Sequence, residues 1–279
     1  MRKYILAPVI LITANIFFTG SFSLVKYLSI NVPVYVIMLF RFLAGPVFLG
    51  PYFFCLQKPL QVKNWPLFIL RIGFGVSAMT CLFFAFKYTE LAKSLLIFEL
   101  SVIWTLIYGW IRYRNKPHFL SLIAIPVAFI GVFFVLQPTG LLDFQKGDFF
   151  AFLGSILNAG VYVTLKKLRT DHDTSTVVFV TYCLSSAILL IPFLLNAVSL
   201  SLDMLLGLTI MASIGFVGQL AMTAGFKFAS AGISSLFMLS IIPFTAISGA
   251  VFFDETLNLL ASTGIVLVLG SLVIIGKYR

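Results

Sequence analysis

The sequence is poor in charge, in histidine and in cysteine. Of its 279 residues only 10% are charged, and it has 9 acidic residues, 2 histidines and 3 cysteines. Soluble domains carry about 25% charged residues, so an ordinary soluble fold is excluded. Cys55, Cys81 and Cys183 lie in or beside apolar runs, and an odd number without metal-ligand spacing indicates neither a disulfide framework nor a zinc site.

Several function classes lack their sequence signals. No GxxxxGK[ST] motif is present, so direct use of ATP is disfavoured. His118 and His172 lie in loops outside any metal-like motif, which disfavours a membrane-embedded enzyme and indicates no cofactor or metal. The net charge of +10 would fit nucleic-acid binding in a soluble protein, but here it fits basic loops on the cytoplasmic side of a membrane.

The sequence is rich in long apolar runs. Apolar residues make up 61% of the chain, and the mean hydropathy is +1.09. Runs of about 18 residues or more, separated by polar breaks, predict membrane helices. We predict ten spans: Ile5–Tyr27, Pro33–Leu56, Trp65–Phe86, Ala92–Ile111, Phe119–Leu136, Gly147–Leu165, Thr176–Leu195, Leu205–Phe226, Gly232–Phe253 and Leu259–Gly276.

The distribution of Lys and Arg predicts the orientation of these spans. With the N-terminus in the cytoplasm, 13 of the 19 basic residues fall on the inner side and 4 on the outer side, while Arg41 and Arg71 lie within spans. The first apolar run is too long for a signal peptide, so we expect an uncleaved first helix. The sequence thus predicts a multi-pass protein of the cytoplasmic (inner) membrane, surrounded by lipid, with both termini in the cytoplasm.

The two halves of the chain resemble each other. An ungapped shift of 140 residues aligns spans one to five with spans six to ten. It also aligns small and basic residues: Gly20 with Gly160, Lys26 with Lys166, Gly75 with Gly215, Phe86-Lys87 with Phe226-Lys227, Ser94 with Ser234, Thr105 with Thr245, and Gly109 with Gly249. Five spans is an odd number, so the second copy enters the membrane from the opposite side. The predicted fold is an all-α membrane protein of ten transmembrane helices, arranged as two inverted five-helix repeats at 1–139 and 140–279.

These features resemble the EamA-like branch of the drug/metabolite transporter superfamily over essentially the whole chain. The matching pieces are the segment from Gly20 to Lys26, Phe40-Arg41-Phe42-Leu43, Ala85-Phe86-Lys87-Tyr88-Thr89, the segment from Gly225 to Ala231, Pro243, Asp254-Glu255-Thr256, Gly264 and Gly270. The resemblance implies a cavity bounded largely by the first, third, fourth, sixth, eighth and ninth spans. The contexts of Arg41 and Arg71 are also similar to those in S-adenosylmethionine importers of obligate intracellular bacteria.

The first copy departs from the family pattern at two positions. Ile103 stands where Pro243 stands in the second copy, and Asn115 stands opposite Glu255. Proline lacks an N–H and kinks a helix, so we expect the fourth span to be straighter than the ninth. Pro243 and Gly249 are candidate hinge residues, and the alternative is a static kink.

Glu99 is the most informative polar residue, because a carboxyl group in a membrane span is costly unless it is paired or functional. It lies near the middle of the fourth span, opposite Leu239 in the second copy. It could bind a substrate ammonium or carry a proton. The alternative is a structural ion pair with Arg41 or Arg71.

The two arginines within spans have different expected roles. Arg41 lies roughly 12 Å into its helix at 1.5 Å per residue and could bind a substrate carboxylate as a fork of donors, or it could brace neighbouring helices. Arg71 is shallower, and we expect its side chain to reach the cytoplasmic surface. Gly75 and Gly215 are expected to permit close helix contacts.

Other candidate substrate-binding residues are polar or aromatic side chains near the middle of their spans. Hydrogen bonding between helices is the alternative for the polar ones, and packing is the alternative for the aromatic ones. These candidates are Asn15, Asn158, Gln219, Ser240, Trp104 and Tyr162, with Phe18 as a further aromatic candidate.

The favoured function is a secondary transporter that moves a small organic metabolite by alternating access. An acid and a base at cavity depth suggest a zwitterion, such as an amino acid or S-adenosylmethionine. Coupling to protons and exchange both remain open, and an inverted pair needs no oligomer. The alternatives are a channel-like pore, for which no filter motif is present, and, less favoured, a membrane-embedded enzyme.

Overall fold

The computed structural model describes residues 2–55, 57, 60–89, 91–113, 119–136, 145–196, 198–252 and 258–277. Across these ranges the chain is helical, with short turns and no β-strand. Several predicted features lie outside the described residues: the span ends Leu56 and Phe253, the boundary between 139 and 140, Asn115, His118 and the segment Asp254-Glu255-Thr256.

The described residues form twelve α-helices. In the first half these are α1 (Arg2–Leu28), α2 (Val34–Cys55), α3 (Trp65–Tyr88), α4 (Leu91–Phe98), α5 (Ser101–Tyr113) and α6 (Phe119–Leu136). In the second half they are α7 (Lys146–Asp171), α8 (Thr174–Leu195), α9 (Leu202–Gly225), α10 (Ala231–Met238), α11 (Ile241–Phe252) and α12 (Leu259–Lys277).

The helices have the length and composition of a multi-pass membrane protein. Seven described segments are long and apolar enough to cross a bilayer, and three shorter apolar helices accompany them. Most predicted bounds agree with the helices to within a few residues. The clearest difference is α7, which ends at Asp171, six residues beyond the predicted end at Leu165. In its last turns, Lys166 and Arg169 donate hydrogen bonds to backbone carbonyl oxygens at the end of α9.

The two halves of the chain have matching helices. The bounds of α2 and α8, and those of α4 and α10, lie 140 residues apart at both ends. The principal packing pairs each join one helix from each half: α1 packs along α9, α3 along α7, α2 along α8 and α6 along α12. The core is therefore formed between the halves, and neither half encloses it alone.

Equivalent lysines make equivalent contacts in the two halves. Lys26 Nζ donates to the carbonyl oxygen of Phe86 at 2.6 Å, and Lys166 Nζ donates to that of Phe226 at 3.1 Å. Both carbonyls lie at the end of the third long helix of their half. The last carbonyl groups of a helix have no N–H partner within that helix. The matching Lys and Phe positions in the sequence thus correspond to one repeated contact, in which the first helix of each half is hydrogen-bonded to the end of the third.

Both fourth spans are divided at the same position. A turn at Glu99 and Leu100 separates α4 from α5, and a turn at Leu239 and Ser240 separates α10 from α11. The prediction that the fourth span is straighter than the ninth is wrong. Pro243 lies in the first turn of α11, where a missing N–H is tolerated, so the division does not depend on proline.

An asparagine of the opposite half makes contacts at each division. Asn15 on α1 donates to the carbonyl oxygens of Phe237 and Met238, at 3.1 and 3.0 Å. On the other side, Asn158 on α7 donates to Ser101 Oγ at 3.1 Å, at the start of α5. In each case an asparagine of the opposite half supplies polar contacts where the helix is interrupted.

Candidate functional site

A buried cavity lies between the two halves at the level of the helix divisions. It has a volume of about 60 Å³, which is space for roughly four to six water molecules. Its charged and polar lining residues are Arg41, Arg71, Glu99, Asn158, Tyr162, Thr181, Tyr182 and Gln219. Phenylalanine and methionine side chains, with Val161, Ile241 and Gly75, complete the wall. Polar groups that converge on a cavity with an otherwise apolar wall are typical of small-molecule sites.

Glu99 reaches the cavity because it lies in the turn between α4 and α5. The residue is 4% exposed, and its Oε2 atom has no hydrogen-bond partner. Within the described part of the chain, Glu99 forms no ion pair with Arg41 or Arg71. A buried carboxyl oxygen without a partner costs free energy, so this atom is available to a ligand.

Arg41 is held against the cavity by side chains of α1. Its Nη1 atom donates to Ser21 Oγ at 3.1 Å. Its guanidinium carbon lies 5.6 Å from the ring centre of Phe18 and 5.5 Å from that of Phe22, within the range of cation–π contacts. Arg41 is thus braced by a neighbouring helix and also lines the cavity, and its binding of a substrate carboxylate stays a prediction.

Arg71 also lines the cavity, which corrects the expectation that it reaches the cytoplasmic surface. It is 5% exposed, and its Nε atom has no hydrogen-bond partner. Gly75, one turn further along α3, leaves the space that the guanidinium occupies. A methyl group at Gly75 would lie 2.6 Å from Arg71 Nη1. The side chain therefore folds along its own helix toward the centre of the protein.

Three further predicted residues share the cavity with the charged groups. Asn158 and Tyr162 lie one turn apart on α7, and Gln219 lies on α9. Gln219 Nε2 donates to Thr223 Oγ1 at 3.2 Å, and the Tyr162 ring stacks on Phe226 with 5.3 Å between ring centres. These contacts fix the side chains on the cavity wall. Phe18 lines the cavity as well, beneath Arg41.

Asn15, Ser240 and Trp104 do not line the cavity. Asn15 Nδ2 donates to Ser240 Oγ at 2.8 Å, so the two residues meet at the division between α10 and α11. Trp104 Nε1 donates to Ser155 Oγ at 3.1 Å, which joins α5 to α7. Each contact fastens a divided helix to the first helix of the opposite half.

The candidate hinge residues lie beyond the division of the ninth span. Pro243 is the third residue of α11, and Gly249 lies further along the same helix. The backbone at the division itself makes short-range bonds: Ile242 N donates to Leu239 O at 3.1 Å. The irregular backbone therefore lies at Leu239 and Ser240, next to the cavity, and Pro243 begins the regular helix after it.

Sequence reasoning missed Arg71 as a cavity residue because its side chain was expected to reach the cytoplasmic surface. It missed Tyr182 and Thr181 because the seventh span was not expected to bound the cavity. Tyr182 is 2% exposed, and its hydroxyl has no hydrogen-bond partner. Thr181 is the position that aligns with Arg41 under the 140-residue shift. The pairing of Arg71 with Gly75 one turn later was the sequence signal for an arginine that folds along its helix.

Matching halves with a buried, charged cavity between them are an arrangement found in membrane transporters. The sequence profile of the EamA-like transporter family matches residues 5–137 and 145–277. The chain therefore belongs to the EamA-like transporter family, and the profile matches each half of it once.

Individual relatives are distant. The chain is 23% identical over 278 residues to the pseudopaline exporter CntI of Pseudomonas aeruginosa, covering 96% of this chain and 95% of that protein. It is 28% identical over 211 residues to mouse solute carrier family 35 member G1, covering 69% of this chain and 57% of that protein. A solved crystal structure has the same fold, with a TM-score of 0.79 at 14% identity, over 96% of this chain and 97% of that one.

Proposed function

We propose that this protein is a secondary transporter that moves a small organic metabolite carrying both an ammonium and a carboxylate group. The observation that carries the proposal is the pair of opposite charges in one buried cavity. Glu99 and the two arginines line it without forming an ion pair in the described part of the chain. Amino acids and S-adenosylmethionine belong to this substrate class.

The cavity supplies the contacts that such a substrate needs. Glu99 Oε2 accepts a hydrogen bond from the substrate ammonium, and Arg41 donates to the carboxylate. Asn158, Gln219 and Tyr162 orient the remaining polar groups. Asn15, Ser240 and Trp104 do not contact the substrate. They act indirectly, because their hydrogen bonds hold the divided helices whose ends bound the cavity.

The proposed architecture has ten membrane spans. The division of α4 from α5 and of α10 from α11 interrupts one span in each half, and the remaining helices are one span each. We assign the two repeats to 1–139 and 140–279, with opposite orientations in the cytoplasmic (inner) membrane and both termini in the cytoplasm. This arrangement places the cavity at the interface between the repeats, where inverted-repeat transporters bind substrates.

Transport then requires the two halves to move. The cavity lies between the two halves, so the helices that line it must separate to admit and release a substrate. The divisions at Glu99 and Leu239 lie at the cavity, and the half-helices on either side can tilt there. Pro243 and Gly249 are the proposed hinge residues of the second division, with the flexible part centred on Leu239 and Ser240.

Counterflow in proteoliposomes tests this function. Vesicles loaded with an unlabelled amino acid should accumulate the same labelled amino acid transiently above its external concentration, because an alternating-access carrier exchanges the two. S-Adenosylmethionine is tested in the same way, and protein-free liposomes are the control. Flux that equilibrates without an overshoot and does not saturate would instead indicate a channel-like pore.

A further inference from the structure

The charges of the cavity are unequal. Two guanidinium groups, those of Arg41 and Arg71, and one carboxyl group, that of Glu99, are the charged groups among the described lining residues. Neither arginine is neutralised by an ion pair within the part of the chain that the structure describes. Buried charges are costly without a partner, so a ligand that supplies two negative groups and one positive group would compensate all three.

We infer that the substrate is an amino dicarboxylate, a small molecule with two acidic groups and one ammonium group. The inference rests on the proposed function, because it assumes that the central cavity binds the transported molecule. A neutral amino acid has one carboxylate and would leave one guanidinium without a counter-charge. S-Adenosylmethionine has one carboxylate and two positive centres, so it would leave the positive charge of the cavity in excess.

The two arginines approach the cavity from different helices and different ends of the protein. Arg41 lies about two turns into α2, and Arg71 lies about two turns into α3. Consecutive membrane helices run in opposite directions, so these two positions start from opposite ends of the bundle. Both guanidinium groups nevertheless reach one cavity. Two acidic groups of one ligand can therefore each meet a guanidinium group.

Glycine creates the room for each guanidinium. A methyl group at Gly75 would lie 2.6 Å from Arg71 Nη1, and one at Gly215 would lie 2.7 Å from Arg41 Nη1. Gly75 and Gly215 are equivalent positions of the two halves, 140 residues apart. Gly75 meets only Arg71 of its own helix, so it does not serve the close helix contact that its sequence context suggested. Gly215 does serve one, because Ser21 Oγ of α1 would also lie 2.7 Å from the added methyl group. Each glycine leaves space for an arginine head group at the cavity, and we regard both as positioning residues.

Arg71 also has unused hydrogen-bonding capacity. Its Nε atom is buried without a partner, as is the hydroxyl of Tyr182 on the cavity wall. Arginine presents its donors in a planar fork that matches a carboxylate. A second substrate carboxylate near Arg71 and Tyr182 would satisfy both groups.

The test compares acids with their amides, which have nearly the same shape. Counterflow is measured with L-glutamate, L-aspartate, L-glutamine, L-asparagine, glutarate and S-adenosylmethionine. We expect the half-saturation concentration of at least one acidic amino acid to be about tenfold or more below that of its amide, since the amide lacks one charge-assisted contact. We expect glutarate, which lacks the ammonium group, to exchange more weakly than glutamate.

The outcomes separate this inference from the proposed function. Counterflow of glutamine, asparagine or S-adenosylmethionine that equals or exceeds that of the acids overturns the dicarboxylate inference and leaves the proposed transporter of zwitterions in place. No counterflow of any of these compounds by well-folded protein overturns both. Exchange of glutarate as strong as that of glutamate would remove the ammonium group from the inference.

Variants of α3 test the role of Arg71 itself. Arg71→Gln should remove most of the preference for glutamate over glutamine while glutamine exchange persists. Gly75→Ala retains Arg71 but displaces its head group, which is a flexible end and can move at little cost to the fold. It should therefore reduce the same preference several-fold. Gly73→Ala is the matched control on the same helix, because no atom lies within 4 Å of the added methyl group, and it should keep the parent preference. If all three variants kept the parent's preference for glutamate over glutamine, a role for Arg71 would be contradicted.

Discussion

Replacement of Glu99 with glutamine is expected to reduce counterflow of an amino-acid substrate by about tenfold to hundredfold. The glutamine side chain keeps the shape of the carboxyl group but loses the charge that binds an ammonium. A hydrogen bond to a charged group contributes about 1.5–3 kcal/mol, and each 1.4 kcal/mol corresponds to roughly tenfold in affinity. The measurement is the half-saturation concentration and the maximal rate of counterflow in proteoliposomes.

The fold should tolerate this change. Glu99 Oε2 has no hydrogen-bond partner, and the residue forms no ion pair within the described chain, so no structural contact is lost with the charge. Asp203→Asn is the matched control, because it makes the same chemical change at an exposed position near the start of α9. Glu99→Gln with unchanged counterflow, at both low and high substrate concentration, would remove Glu99 from substrate binding.

The second large effect is expected for Asn15, and it concerns stability. Asn15→Leu removes the donor that binds the carbonyl oxygens of Phe237 and Met238 and the hydroxyl of Ser240. A buried acceptor left without a partner costs about 1–3 kcal/mol. We therefore expect a clearly lower midpoint of thermal unfolding in detergent, together with a lower maximal rate of counterflow. The half-saturation concentration should change little, because Asn15 does not line the cavity.

A control on the same helix shows whether the lower unfolding midpoint comes from the lost contacts of Asn15 or from the loss of any polar side chain on α1. Thr13 is exposed, and its hydroxyl bonds only within α1, to the carbonyl oxygen of Val9. Thr13→Val should leave the unfolding midpoint close to that of the parent. If Asn15→Leu preserved the midpoint and raised the half-saturation concentration tenfold, Asn15 would belong in the substrate site, as its sequence position suggested.

The repeated fold could be predicted because its signals lie along the chain. Apolar runs predict helices that cross a membrane, and the 140-residue shift predicts which helices are equivalent. Lys26 and Lys166 illustrate the strength of the second signal. Their alignment, together with that of Phe86 and Phe226, corresponds to the same lysine–carbonyl contact in both halves.

The divided helices could not be predicted in the same way. The expected cause was Pro243, yet the first half divides its helix at the equivalent position with Ile103 in place of proline. The contacts that accompany the divisions come from Asn15 and Asn158, which lie far away in sequence. Periodicity and local propensity do not report such contacts, because the partner helix belongs to the other half.

The residues that line the cavity could be predicted by residue type, but the directions of their side chains could not. Glu99, Arg41, Asn158, Gln219 and Tyr162 were selected as polar or aromatic groups in apolar helices, and all five line the cavity. Asn15 and Ser240 met the same criterion, yet they bond to each other. Distance from the end of a helix does not say which way a side chain points. That direction depends on neighbours such as Gly75, which lets Arg71 turn inward.

The proposed transporter consists of two oppositely oriented copies that enclose one cavity, and labelling of equivalent positions determines their orientations. Asn31 follows α1 and Asp171 ends α7; both are exposed and lie 140 residues apart. Asn31→Cys and Asp171→Cys are prepared singly in a background in which Cys55, Cys81 and Cys183 are replaced, and intact cells are treated with a membrane-impermeant maleimide. We predict that Asn31→Cys is labelled from outside and that Asp171→Cys is labelled only after permeabilisation. Labelling of both positions from the same side would contradict the inverted arrangement, and with it the proposed mechanism of transport.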